Sequence, residues 1–132
     1  MPYKRATESE IEAALQDLTG WERGADRITK TSRFESFAEA FGWMSSVAIV
    51  AEKLDHHPEW RNVWATVQVE LTTHDCDGRS KGDFLLAGQM NALAAGRAYL
   101  TVIAQKRVLN SARRAVATAR AHESYSTTRF EG

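Results

Sequence analysis

Apolar residues recur at helical spacing in three stretches of the chain and alternate with polar ones in a fourth. Ile11, Leu15 and Leu18 follow Thr7-Glu-Ser-Glu10, a capping box in which hydroxyl and carboxylate each satisfy a backbone N–H, and Gly20 is a fitting stop. Ser36-Phe-Ala-Glu39 reads as a second capping box. It opens a helix with an apolar stripe of Phe37, Phe41, Met44, Val47/Ala48 and Ala51. Ser80-Lys-Gly-Asp83 opens a third helix, carrying Phe84, Leu85, Ala87, Met90 and Leu93/Ala94. Between the last two, Val63, Ala65, Val67, Val69 and Leu71 alternate with Trp64, Thr66, Gln68, Glu70 and Thr72, the period of a half-buried strand.

Turn residues complete the order. Residues 21–33 read as a hairpin turning at Gly24-Ala-Asp26. Pro58 disfavours helical geometry at His57, so the second helix must end by about Asp55. Asp75-Cys-Asp-Gly78 makes a further turn. The order α-β-β-α-β-α predicts an α+β fold, with an antiparallel sheet and its helices on one face. Beyond Gly96 a weaker stripe of Leu100, Ala104, Val108, Ala112 and Val116 extends the last helix, and the final ten residues are expected to fray.

Charge separates this extension from the body. Residues 1–96 hold 10 Lys/Arg against 15 Asp/Glu, and residues 97–132 hold 7 against 2, giving −5 and +5. An acidic body argues against nucleic acid as a partner, and no apolar run reaches membrane-spanning length. The tail is expected to dock on the acidic body of a neighbouring subunit. The lone Cys76 cannot form an internal disulfide, which fits a cytoplasmic protein.

Chemistry concentrates between Glu52 and Asp83. Three of the four histidines, His56, His57 and His74, fall within 19 residues. Imidazole both gives and takes protons near neutral pH. Glu52 stands one helical turn before His56, where it would orient that ring if the helix persists; an ordinary helix C-terminus also favours histidine there. A zinc site is disfavoured, since His-Glu-x-x-His and Cys-x-x-Cys spacings are absent and adjacent imidazoles diverge. Asp75 and Asp77 would weaken Cys76 as a nucleophile. Trp60 and Trp64 would wall a pocket for a flat ring. An unbroken strand from Trp64 to His74 would span about 33 Å, so the chain must bend between them or a second subunit must contribute.

Glu52-x3-His56-His57-Pro58-x5-Trp64-x9-His74-x8-Asp83 resembles the signature of the pterin-4a-carbinolamine dehydratases, as do Gly20-Trp21, the Phe34…Phe37…Phe41 series, Ala51-Glu52 and Thr73-His74. The resemblance covers residues 7–95, so residues 1–96 are read as the family's domain and 97–132 as a basic extension to which nothing carries over. It implies a four-stranded antiparallel sheet with three helices on one face, α-β-β-α-β-β-α, assembled as a homodimer or homotetramer. Four strands require a break within residues 62–74 that the residues themselves do not announce. The implied reaction is dehydration of 4a-hydroxytetrahydropterin to quinonoid dihydropterin, without metal or redox cofactor, in service of aromatic amino acid hydroxylases such as phenylalanine hydroxylase. By the same resemblance His56 and His74 form the acid–base pair, with acid and base unassigned, and His57 binds or assists. Glu52 and Asp55 tune the imidazoles, Asp83 supports the site, and Pro58, Trp60 and Trp64 shape it. A non-enzymatic dimerisation, assembly or transcriptional-coactivator role on the same fold is the alternative.

Overall fold

Each predicted helix start carries its cap. The computed structural model describes the backbone of residues 3–127 and the side chains of residues 3–97 and 106–121. Helix α1 (Glu8–Asp17) begins at Thr7 with the full reciprocal capping box, and Gly20 beyond it takes a positive φ of 82°. Helix α2 (Phe37–Leu54) begins at Ser36, whose hydroxyl accepts from the Glu39 N–H. The expected return bond from the Glu39 side chain is replaced by an approach to Arg97 at 3.6 Å. Helix α3 (Lys81–Thr127) starts where Asp83 accepts from the Ser80 N–H at 2.8 Å and the Ser80 hydroxyl accepts from the Gly82 N–H.

Strands β1 (Glu22–Arg23), β2 (Ile28–Arg33), β3 (Glu59–Val63) and β4 (Thr66–Leu71) form one antiparallel sheet in the order β1-β2-β4-β3. The alternating stretch is therefore two strands. The break is a two-residue turn at Trp64-Ala65, with Trp64 at φ 50° and Val63 paired to Thr66. No glycine or proline marks it. Asn62 closes it instead, its side-chain amide donating to the carbonyls of Trp64 and Thr66, both at 3.0 Å.

Along β4, Val67, Val69 and Leu71 are buried, whereas Gln68 and Glu70 are exposed. The buried face meets Ala40, Trp43, Val47 and Ala51 of α2, Leu86, Ala87 and Met90 of α3, and Leu18 at the end of α1. The helices thus gather on one side of the sheet. Trp43 sits at the centre, tilted against Phe34 and Trp60 at centroid distances of 5.2 and 6.2 Å, its indole N–H donating to the Met90 carbonyl. Trimming it to alanine would cost about 3–5 kcal/mol.

Of the stripe predicted on α2, Val47 and Ala51 are buried and Met44 packs on the core, but its first turns differ. Phe37 and Phe41 are exposed, as is Ile49, while Trp43 faces inward. Helix α2 is apolar on nearly all sides, so periodicity alone did not settle the inner face of those turns. Likewise Leu85 and Val63 are exposed, and Leu86 is buried.

The chain divides into two compact units, Met1–Arg97 and Ala98–Gly132. In the second, the described side chains from Lys106 to Ala121 are all exposed, Val108, Leu109 and Val116 included. The backbone is helical to Thr127, further than the fraying expected from residue 123. The rest of that end lies outside the described residues.

Candidate active site

Helix α2 stops abruptly, and that stop sets two histidines. Asp55 adopts the left-handed conformation, φ 48° and ψ 43°, at a position where glycine is usual. The Asp55 N–H bonds to Glu52 and the His56 N–H reaches back to the Ala51 carbonyl at 3.0 Å. The chain therefore leaves the helix before His56. One consequence corrects the expected Glu52–His56 pairing: Glu52 Oε1 lies 2.5 Å from Nε2 of His57 instead. Helical spacing no longer applies past Leu54, so the next imidazole swings back over the last turn.

His56 points inward. Its Nε2–H donates to Asp83 Oδ1 at 2.6 Å, and the side chain is 8% exposed against none for Asp83. The other oxygen of Asp83 accepts from the Thr73 hydroxyl and the Ser80 N–H, both at 2.8 Å. A buried carboxylate is tolerated when its lone pairs are filled in this way. The Tyr3 ring meets the His56 ring edge-on at 5.5 Å, and its hydroxyl donates to the Leu54 carbonyl.

His74 follows β4 and opens a short 3-10 turn, His74–Cys76, ending at left-handed Asp77. Its Nε2 lies 2.6 Å from Glu59 Oε1, at the start of the neighbouring strand β3. The His57 and His74 side chains are 57% and 79% exposed.

Each of the three imidazoles thus has Nε2 on its own carboxylate: His56 on Asp83, His57 on Glu52, His74 on Glu59. An ionised carboxylate only accepts, so each Nε2 carries the hydrogen. In the neutral ring that leaves Nδ1 with the free lone pair. His56, His57 and His74 line one cavity of about 400 Å³ together with Tyr3, Asp55, Thr72, Thr73 and Asp75. That volume lies within the usual range for small-molecule sites, about 300–1,000 Å³.

Other predicted site residues lie elsewhere. Glu52 and Asp83 stand behind the imidazoles they hold, and Pro58 precedes β3. Trp60 packs on Trp43 in the core. Trp64 is 72% exposed at the β3–β4 turn, and neither tryptophan lines the cavity. The chain does bend between Trp64 and His74, but the hairpin carries Trp64 to the end of β4 opposite His74. Burial pushes the Cys76 thiol above its ordinary range, with the Asp83 charge adding to the effect. Among the described residues no three His, Cys, Asp or Glu side chains are grouped to hold a metal ion, and no helix is long and apolar enough to cross a membrane.

Sequence reasoning missed Glu59 and Tyr3. Glu59 meets His74 only because β3 and β4 lie side by side, a contact across 15 residues that no local spacing reveals. Tyr3 reaches the site through the segment before α1, where Arg5 bridges Ser80.

Residues 4–93 match the family model described as pterin 4 alpha carbinolamine dehydratase. A Rhodopseudomonas palustris BisB18 protein bearing that enzyme's name provisionally is 53% identical over 94 residues, covering 70% of this chain and 93% of its own. A relative from Jannaschia sp. CCS1, named in the same way, is 54% identical over 91 residues, covering 67% of this chain and 92% of its own. The crystal structure of a transcriptional coactivator/pterin dehydratase from Brucella melitensis superimposes with a TM-score of 0.67. It is 45% identical and covers 69% of this chain and 99% of that one.

Proposed function

The chain belongs to the pterin 4 alpha carbinolamine dehydratase family, and on that premise we propose that it dehydrates 4a-hydroxytetrahydropterin by histidine acid–base catalysis. The observation that carries this reading is the set of three carboxylate-held imidazoles around one cavity. Loss of water breaks the C4a–O bond and forms the C4a=N5 double bond. One group gives a proton to the departing hydroxyl and another accepts the proton on N5, so hydroxide leaves as water and the two groups exchange one proton overall.

His56 and His74 act as this pair. Each keeps Nε2–H on its carboxylate and exchanges protons through Nδ1. Asp83 and Glu59 hold the rings in that tautomer and stabilise the imidazolium that forms when Nδ1 takes a proton. His57, oriented by Glu52, assists binding at the mouth. The product serves tetrahydropterin recycling for aromatic amino acid hydroxylases. The test is a spectroscopic dehydratase assay of the native chain beside His74→Ala. A native rate well above the uncatalysed one, lost in the variant, is expected; two equal rates at the uncatalysed level would overturn the reading.

Self-association accompanies this function in the proposal. Phe37, Phe41 and Ile49 expose an apolar strip along one side of α2, in a body whose core is already filled. Such a strip suits a second copy of the chain in a homodimer or homotetramer. Sedimentation of Phe41→Asp as a smaller species than the native protein is the expected result, and an unchanged mass would rule this face out.

A further inference from the structure

Beside the histidine cavity lies a second, larger one of about 870 Å³, bounded by the segment before α1, the end of α2 and the start of α3. The two share Tyr3 and Asp55 as a common wall. Lys4, Arg5, Lys53 and Lys81 surround the second cavity. Among the described residues none of these four side chains makes an ion pair or a hydrogen bond. Two acids also line it, Asp55 and Glu10, the latter accepting from the Thr7 N–H, so four cations face two carboxylates. Two helices also begin at this wall, α1 after Thr7 and α3 at Lys81, adding their positive ends.

An open cavity with surplus positive charge, adjoining a site sized for a fused ring, fits an anion carried on that ring's substituent. We propose that this second cavity binds an anionic group, phosphate or carboxylate, at the end of the substrate's side chain, making the enzyme selective for pterins with charged substituents. The inference rests on the dehydratase reading and narrows it to a substrate class. Tyr3 forms the threshold: its ring is held by the His56 contact and by its hydroxyl on Leu54, so the substituent crosses a fixed edge between the cavities. The cations are solvent-exposed, so the preference must weaken as salt rises.

The test compares kcat/KM for three 4a-hydroxytetrahydropterins, bearing at C6 a methyl group, a phosphorylated hydroxymethyl group or a carboxylate-terminated chain. Native protein and Lys53→Glu/Lys81→Glu are assayed at low and high salt. At low salt the native protein should favour at least one anionic substrate over the methyl compound by about tenfold or more. The double variant should collapse that ratio, and high salt should reduce it. The phosphate and carboxylate arms tell which anion the cavity takes. Equal native kcat/KM for neutral and anionic substrates would overturn the inference while leaving the dehydratase reading intact. So would a double variant that slows all three substrates by one factor, which also covers a folding defect. No acceleration of any substrate by the native protein would overturn both.

Discussion

Asp83→Asn replaces one oxygen of a fully buried carboxylate by an NH₂ group, in a side chain that takes three donors. The remaining oxygen can still accept from the Ser80 N–H and the Thr73 hydroxyl. The amide then presents hydrogens to His56 Nε2, so one of three contacts changes sign. Bonds to a charged group contribute about 1.5–3 kcal/mol each, and a buried donor left unsatisfied costs about 1–3 kcal/mol. A loss of about 1–3 kcal/mol is therefore expected, roughly 5–20 °C in the unfolding midpoint of a domain near 100 residues. Asp83→Ala removes all three acceptor contacts and should cost about 3–5 kcal/mol, as breaking a buried pair does. The catalytic effect of the asparagine has a separate origin. To keep a bond with the amide, Nε2 must become the acceptor, so the ring hydrogen moves to Nδ1 and the proton-accepting site is lost. A fall in kcat of about 10²-fold is expected, at the low end of what a general acid or base supplies. Urea unfolding and a stopped-flow dehydratase assay on one preparation separate the two effects. Loss of stability with native kcat would show that Asp83 only holds the fold. Native stability would refute the buried network itself.

His74→Ala should lower kcat by about 10²–10⁴-fold while leaving stability within about 0.5 kcal/mol, because the ring is largely exposed; paired assay and denaturation curves check both. His57→Ala should mainly raise KM, and a kcat loss equal to that of His74→Ala would reverse the roles given to them. Asn62→Ala removes both bonds that close the β3–β4 turn and should cost about 1 kcal/mol. Trp64→Gly relieves a left-handed residue, and a gain of about 1 kcal/mol in a urea titration is expected with activity unchanged, since the tryptophan lies outside the cavity. Cys76 should react with iodoacetamide more slowly than a free cysteine peptide at neutral pH and catch up only as the solution becomes alkaline, because burial and Asp83 disfavour the thiolate. A fast reaction at pH 7 would contradict that.

Much of this protein could be read from local pattern, and the parts that could not have two causes. Caps at Thr7, Ser36 and Ser80, the stop before His56 and the hairpin near Gly24 depend on residues a few positions apart, so the sequence carries them openly. The histidines, too, pointed by type and number to the proton-transfer chemistry proposed above. What failed depended either on a partner supplied from a distance or on a left-handed backbone residue that no glycine marks. The inner side of α2 was read correctly at Val47 and Ala51, but a helix apolar almost all round let Phe37 and Phe41 be counted with them, and the packing on the sheet left those two exposed. The turn at Trp64 was invisible because Asn62 closes it through side-chain bonds while a tryptophan takes the left-handed position. Glu52 was matched to His56 by helical spacing, but the left-handed turn at Asp55 ended that spacing one residue too soon. Glu59 could not be matched to His74 at all until β3 lay beside β4. By itself, then, the sequence determined the three helices, the first hairpin and their order, because propensity, capping and turn chemistry act over a few residues. Only the tertiary structure decided which carboxylate holds which imidazole and that all three rings share one cavity. Two of those contacts, His56–Asp83 and His74–Glu59, join side chains far apart in the chain, and the third, His57–Glu52, is set by the left-handed turn at Asp55.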